Sequence, residues 1–130
     1  MTGLDSNVLV RYLAQDDAVQ SARAVRLIEN ELSEREPGYI SLVVLVETCW
    51  VLKRLYGATP KDIRETVRDL LDVRQFSVER RLCVSNALAR LGEGTGDLAD
   101  AIIAELASEA GCERIVTFDK SATKLGMILL

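Results

Sequence analysis

The stretch that decides the fold is residues 39–57, which read Tyr-Ile-Ser-Leu-Val-Val-Leu-Val-Glu-Thr-Cys-Trp-Val-Leu-Lys-Arg-Leu-Tyr-Gly. Residues 39–41 are predicted to form a short strand, and the apolar run Leu42–Tyr56 is predicted to form a largely buried helix. Gly57 should end that helix, because glycine readily adopts the left-handed conformation found at helix termini. The stretch is therefore a strand that leads into a buried helix.

Upstream of this stretch, the pattern predicts one strand and two helices. The strand ends at Leu4, and Asp5-Ser6-Asn7 favours the turn that leads into the first helix. The second helix is predicted to begin at Asp16-Asp17 and to end before Pro37-Gly38. Its apolar face is expected to consist of Ala22, Val25, Ile28 and Leu32.

Downstream, helices and strands continue to alternate. Thr59-Pro60 with Asp62 predicts a capped helix that runs to about Val73. The remaining segments are a strand at Phe76–Val78, a helix at Arg81–Leu91 closed by Gly92, a glycine-rich loop at 93–96, a helix at 97–110, and strands at 114–118 and 127–130. This alternation predicts a parallel α/β sheet covered by helices on both faces. With 130 residues, 48% of them hydrophobic, the chain is expected to form one domain over residues 1–130.

Four acidic residues lie at or just past the end of an apolar segment. They are Asp5, Glu47, Asp100 and Asp119. Because ligands bind beyond the carboxyl ends of the strands in open parallel sheets, these acids are expected to share a partly buried acidic pocket. Carboxylates are the oxygen ligands that Mg²⁺ and Mn²⁺ prefer, and a pair of such ions about 4 Å apart can activate water for phosphodiester cleavage. The pattern therefore predicts a metal-dependent site.

Each acid also has a purely structural interpretation. Asp97 is placed to cap its helix, with Asp100 helping from the third position, and Asp5 is placed to cap the first helix. Asp119 is placed to begin a turn. For Glu47, whose neighbours are apolar, the structural alternative is a salt bridge to one of the two basic residues near the end of its own helix, Lys53 or Arg54.

Composition excludes several classes of function. Histidine is absent, which removes the commonest general base and the Ser/His/Asp triad. The net charge of −4 argues against a non-specific nucleic-acid coat protein, but bound cations would still permit a nuclease. Cys49, Cys83 and Cys112 are expected to be buried free thiols. No apolar run approaches the roughly 20 residues needed to cross a bilayer, and the chain is expected to be cytoplasmic.

These motifs together resemble the PIN domain, in particular the VapC-like ribonuclease toxins of prokaryotic toxin–antitoxin pairs. The resemblance rests on Asp5-Ser6-Asn7, on Glu47 within residues 41–52, on Asp-Leu-Ala-Asp-Ala-Ile-Ile-Ala at 97–104 and on Val-Thr-Phe-Asp-Lys at 116–120. It covers nearly the whole chain and implies a three-layer α/β/α fold with a central, mostly parallel sheet. The family commonly has threonine where this chain has Ser6, and serine keeps the hydroxyl.

The same resemblance implies roles for the acids and their neighbours. The residues that would bind Mg²⁺ or Mn²⁺ and serve catalysis are Asp5, Glu47, Asp100 and Asp119. Asp97 would be an auxiliary acid, and Ser6 and Asn7 would be polar supports. The implied activity is that of an endoribonuclease that hydrolyses single-stranded or looped RNA, with water attacking phosphorus in line and leaving a 5′-phosphate and a 3′-hydroxyl.

The resemblance also implies two protein partners, a second copy of the chain and a small antitoxin that blocks the acidic groove. The homodimer is expected to bury the apolar helical residues Val25, Ile28, Leu32, Leu52 and Leu55. Candidate contacts to RNA phosphates are Arg11, Arg23, Arg26, Lys53 and Arg54.

Two other functions remain open at this point. An aspartyl phosphotransferase would use Asp5 as its nucleophile, but such enzymes usually carry an aspartate two residues later, where this chain has Asn7. A catalytically silent PIN-fold binding module would keep the fold and the metals for protein association. The presence of all four acids argues against that module, and an activity assay separates it from a nuclease.

Overall fold

The computed structural model of the protein describes residues 1–130. The strands are β1 (Thr2–Gly3), β2 (Gly38–Ile40), β3 (Phe76–Val78), β4 (Val116–Thr117) and β5 (Ile128–Leu129). The α-helices are α1 (Ser6–Ala14), α2 (Ala18–Val25), α3 (Leu42–Tyr56), α4 (Pro60–Asp72), α5 (Arg81–Leu91) and α6 (Leu98–Glu109). A π-helical segment (Arg26–Glu31) continues α2, and a 3₁₀ helix (Lys120–Leu125) connects β4 to β5.

The strands pair in parallel throughout, in two sheets. In the first sheet β2 lies between β1 and β3, with Gly38 opposite both Thr2 and Phe76, and in the second sheet β4 pairs with β5. Gly38 permits close packing under β1, since a Cβ there would lie only 2.7 Å from Cδ1 of Leu4 and 2.8 Å from Cδ1 of Leu32. Parallel strands surrounded by helices confirm the predicted three-layer α/β fold.

One apolar core joins the first sheet to the helices. Its most completely buried large side chains come from different elements and include Leu9, Ile28, Ile40, Leu45, Val67 and Val84. Full burial of one such side chain stabilises a fold by about 1.5–3 kcal/mol. The core therefore fixes the positions of the helices that carry the candidate site.

Local capping signals determine where two of the helices begin. In the predicted capping box of α4, Oγ1 of Thr59 accepts from the amide of Asp62 at 3.1 Å, and the Asp62 carboxylate accepts from the amide of Thr59 at 2.9 Å. Oγ of Ser41 accepts from the amide of Val44 at 3.1 Å and caps α3. Helix α3 ends as predicted, at Gly57, which adopts a left-handed φ of 66°.

Helix α3 is less buried than the sequence suggested. Only Leu45, Thr48 and Leu52 are buried, whereas Val43 is 74% exposed and Leu55 is 71% exposed. The apolar run is long enough to suggest burial on every side, but the rest of the chain covers only one face of the helix. The expectation of a largely buried helix is therefore wrong.

The second predicted helix differs from the structure at its end and on its buried face. It ends at Glu31 because Leu32 adopts an extended conformation and enters the core. Ala22 is exposed, and Ser21 takes the inward position because its hydroxyl donates to the carbonyl of Arg11 at 2.9 Å. The predicted face is therefore corrected at Ala22.

The apolar residues assigned to a homodimer are also corrected. Ile28, Leu32 and Leu52 belong to the core of the chain itself, and Val25 is half-buried, so of the five only Leu55 is largely exposed. Periodicity identifies apolar faces, but it does not distinguish a core face from an interface.

The three cysteines are free thiols in three different environments. Cys83 is buried, Cys49 is half-buried and Cys112 is exposed. The expectation of a buried thiol is therefore wrong for Cys112, which lies in the turn after α6. None of the helices is both long and apolar enough to span a bilayer.

Candidate active site

The candidate site begins at the carboxyl edge of the first sheet. Gly3, Tyr39 and Ser77 pair across β1, β2 and β3, and the residues two positions beyond them are Asp5, Ser41 and Glu79. Because the strands are parallel, these three residues leave the sheet at the same edge. Ligands bind at this edge in open parallel sheets.

Asp5 follows β1 and precedes α1 without capping that helix. Its side chain accepts no hydrogen bond from a backbone amide, and its Oδ2 accepts from Nδ2 of Asn7 at 3.3 Å. Ser6 is buried beneath the turn, while Asn7 is exposed. The Asp5 side chain therefore does not cap α1, and its carboxylate is exposed to solvent.

Glu79 is an acid at this edge that the sequence reasoning missed. Its Oε1 accepts from the amide of Leu42 at 2.9 Å, which satisfies one of the free amides at the start of α3. Glu79 directly follows the predicted strand Phe76–Val78, and this position at a strand end could have identified it from the sequence. Glu79 thus anchors α3 at the same edge as Asp5.

A second group of acids lies at the start of α6. Asp97 caps the helix, accepting at Oδ1 from the amide of Asp100 at 3.3 Å, and its Oδ2 lies 3.9 Å from Nζ of Lys53. The pKa of half-buried Asp100 is raised, first by burial and then by the negative charges of Asp97 and Asp119, against the lowering effect of Lys53. Asp97 and Asp119 therefore lie close enough to Asp100 for their negative charges to raise its pKa.

Asp119 follows β4 and has hydrogen-bond donors of its own. Its Oδ1 accepts from the hydroxyl of Ser121 at 2.7 Å and from the Ser121 amide at 2.9 Å, and these bonds lower the pKa of Asp119. The turn predicted at this residue is the start of the 3₁₀ helix. Asp119 is therefore a cap as well as a candidate ligand.

The four acids predicted from the sequence, Asp5, Glu47, Asp100 and Asp119, do not form the partly buried pocket expected of them. Only Asp100 is half-buried, and the others are exposed. Glu47 lies six residues beyond Ser41, which is about 9 Å along the axis of α3. It forms no salt bridge with either basic residue of its helix, so that alternative is wrong as well. No three acidic or cysteine side chains converge closely enough to hold a metal ion.

A groove lies beside Asp97, between α3, α4 and the loop at 93–96. Its volume is about 380 Å³, and we call it the α3–α4 groove. Its polar and aromatic lining includes Trp50, Lys53, Arg54, Arg64 and Asp97. At Gly96 the loop packs closely against Leu91, since a Cβ there would lie 2.9 Å from Cδ2 of Leu91. Asp97 therefore belongs both to the acid group and to the wall of the groove.

Arg64 is the second residue that sequence reasoning missed. It is only 5% exposed, its Nη1 donates to the carbonyl of Gly94, and its buried Nε has no hydrogen-bond partner. Its Nη2 lies 3.8 Å from the exposed carboxylate of Glu93. The available signal was its spacing from Val67 and Leu71, which places the arginine on the apolar face of α4.

Parallel strands, flanking helices and carboxylates beyond the strand ends define an α/β domain with an acidic site at the edge of its sheet. The sequence model of the PIN domain matches residues 4–126, and the chain belongs to the PIN domain family. This is a nuclease-type fold, and the family generally uses Mg²⁺ or Mn²⁺. Among curated proteins, none matches the chain.

Proposed function

We propose that the protein is a metal-dependent endoribonuclease that hydrolyses RNA phosphodiester bonds, and that it acts in the cytoplasm as the toxin of a toxin–antitoxin pair. The observation that carries this proposal is the environment of Asp100. Its half-buried carboxylate accepts no hydrogen bond and lies near the negative charges of Asp97 and Asp119. Within a nuclease-type fold, a carboxylate that lacks donors and is repelled by its neighbours is a ready ligand for a cation.

The chemistry of these acids fits Mg²⁺ or Mn²⁺, since both ions prefer oxygen ligands. We assign the ligand set to Asp5, Glu47, Asp100 and Asp119, with Asp97 as an auxiliary acid. Since no three of the acids converge, the ligand set forms only if side chains move, and the exposed side chain of Glu47 is free to do so. When bound, the ion supplies positive charge that activates water and stabilises the leaving oxygen.

The polar residues around the acids hold them in place. Asn7 orients Asp5 through the bond from Nδ2, and Ser6 lies buried under the same turn. Lys53 offsets part of the negative charge of Asp97. These residues are supports in the proposed site, and the reacting phosphate would meet the carboxylates.

Basic residues on two sides of the acids support an RNA substrate. Lys53 and Arg54 line the α3–α4 groove beside Asp97, while Arg11 and Arg23 line a shallower depression that includes Asn7. Arg11 is partly engaged with Asp16, Gln20 and Tyr56. The fifth candidate, Arg26, lies 3.9 Å from Glu31 and lines neither of these surfaces.

The proposed protein partners are a second copy of the chain and a small antitoxin. Of the residues first expected, Leu55 is exposed, and together with the exposed apolar residues Val43 on α3 and Leu82 on α5 it supports a homodimer. Sedimentation at micromolar concentration tests the dimer, and a strictly monomeric species would remove it. A small reading frame next to the gene, whose purified product inhibits cleavage, would support the antitoxin.

Cleavage of structured RNA by the purified protein in Mg²⁺, in Mn²⁺ and in EDTA tests the activity. We expect cleavage with either ion, none in EDTA, and a loss of about 100-fold or more in Asp5→Asn, because the amide keeps the shape and gives up the charge. Asp69→Asn, on the exposed side of α4, is the matched control and should cleave like the wild type. Equal cleavage by the wild type and Asp5→Asn would refute the assignment. Manganese binding without cleavage would indicate a silent binding module.

A further inference from the structure

The α3–α4 groove contains an exposed aromatic ring next to the acid group. Trp50 is 57% exposed, although it is the largest apolar side chain of α3. The guanidinium of Arg54 lies over the Trp50 ring, with Cζ 5.5 Å from its centroid. Aromatic rings and guanidinium planes are the surfaces on which proteins stack unpaired bases. The groove thus offers a planar surface for a base.

The charge of the groove favours an anion. Three cations, Lys53, Arg54 and Arg64, line it against one carboxylate, that of Asp97. Arg64 is the most informative of them, because it is almost completely buried, its Nε has no partner, and the acid that pairs with it, Glu93, is 86% exposed. A buried cation with few partners is costly, and an anion that enters the groove reduces that cost.

We propose that the α3–α4 groove binds one nucleotide of single-stranded RNA next to the scissile phosphate, with its base on Trp50 and Arg54 and a phosphate near Lys53 and Arg64. This inference rests on the proposed ribonuclease function and specifies where the substrate strand lies. The volume of about 380 Å³ is within the roughly 300–1,000 Å³ of small-ligand sites. A base that stacks on Trp50 must be free of its own duplex, so the groove selects unpaired RNA.

The groove also directs the strand toward the acids. Asp97 lines the groove and caps the helix that carries Asp100, so the two sites share a boundary. Carboxylates repel the phosphates of an approaching strand, whereas the cations of the groove attract them. The groove therefore holds the strand while the neighbouring phosphodiester meets the acids.

The chain contains a single tryptophan, so its fluorescence reports on this groove alone. The full-length protein in EDTA, which prevents cleavage, is titrated with a six-nucleotide adenylate RNA, with an oligomer of the same length that lacks bases, and with an RNA duplex. We expect saturable quenching of Trp50 by the single strand, and little by the other two. No quenching by the single strand, or equal quenching by the oligomer without bases, would overturn the proposal.

Variants separate stacking from general binding, with a labelled oligonucleotide to measure affinity. We expect Trp50→Leu to weaken binding about tenfold and Trp50→Phe to retain most of it, since stacking needs only an aromatic face. Val19→Ala, which removes another exposed apolar side chain on α2, is the control and should bind like the wild type. Wild-type affinity in Trp50→Leu would overturn the proposal.

The experiment also distinguishes failure of the groove from failure of the ribonuclease. Quenching of Trp50 in a protein that never cleaves RNA would support the groove as an RNA site and reject the nuclease. Cleavage that depends on Asp5, without any response of Trp50, would reject the groove and keep the nuclease. Quenching by an acidic peptide and not by RNA would assign the groove to a protein partner and overturn the proposal.

Discussion

Asp100 and Asp119 are neighbours in the same acid group, yet their environments shift their pKa values in opposite directions. Asp100 is half-buried and receives no hydrogen bond, and its pKa is raised by burial and by nearby carboxylates. Asp119 is exposed and accepts two bonds from Ser121, which lower its pKa. The difference teaches that proximity alone does not define a ligand, because the donors around a carboxylate decide how much of its charge is already satisfied.

The largest expected effect is on RNA cleavage. Asp100→Asn should reduce cleavage by about 100-fold or more, since it removes a charge that no protein donor satisfies. Asp119→Asn should reduce cleavage by a smaller factor, because the amide oxygen can still accept from Ser121. Initial rates of both variants in Mn²⁺, beside the Asp69→Asn control, measure the difference. Equal losses of cleavage in the two variants would contradict the expected difference between Asp100 and Asp119.

A smaller effect of opposite sign is expected on the stability of the metal-free protein. At neutral pH, Asp100→Asn should raise the Tm by a few degrees because it removes a repelled charge, and Asp119→Ala should lower the Tm because it removes a cap. Thermal unfolding in EDTA measures both changes. Adding Mn²⁺ should raise the Tm of the wild type and raise that of Asp100→Asn less. Shifts of the same sign in the two variants would contradict this prediction.

The two stability effects should also depend differently on pH. The pKa of Asp100 in the folded state is above its unfolded value. The charged Asp100 carboxylate therefore destabilises the fold fully at neutral pH, and this destabilisation disappears as pH falls through the raised pKa. The folded pKa of Asp119 is below its unfolded value, so its contribution is complete above the unfolded value and is lost as pH falls through the lowered pKa. The Tm gain of Asp100→Asn should therefore fade first on acidification.

The smallest expected effect is on the titration of Asp119 itself. Ser121→Ala removes the hydroxyl donor and keeps the amide donor, so the pKa of Asp119 should rise part of the way toward its ordinary value. Carbon-13 NMR titration of the carboxyl group measures this shift. Thr123→Ala is a matched control in the same 3₁₀ helix, because the Thr123 hydroxyl donates to the Lys120 carbonyl. An unchanged pKa in Ser121→Ala would show that the hydroxyl is not the cause.

Local signals predicted most of the fold. The capping box at Thr59 and Asp62, the extent of α3 and the strand Phe76–Val78 are all confirmed, because caps, breakers and short apolar runs act within a few residues. The extended Leu32 and the exposed side of α3 were not predictable in this way. Both depend on which segments pack together, and that information lies in distant parts of the chain.

The candidate site was only partly predictable, for the same reason. The motifs identified Asp97, Asp100 and Asp119, which the structure brings together, but they did not reveal that Glu47 lies on an exposed face. Arg64 was missed because a charged residue in an amphipathic helix normally faces solvent. Its burial arises from packing against the loop at 93–96, where Gly94 accepts its hydrogen bond.

The three different thiol environments make the native chain suited to labelling at one position. Burial and the nearby charge of Asp97 raise the pKa of Cys49 to about 12, so very little of this thiol is present as the reactive thiolate at pH 7. Cys83 is buried, and burial raises its pKa as well. A maleimide dye should therefore react first at exposed Cys112, just beyond the end of α6. A fluorophore at Cys112 would be attached near the C-terminal end of α6, and Asp97 caps the opposite end of this helix. The protein could therefore be labelled for single-molecule measurements without any substitution.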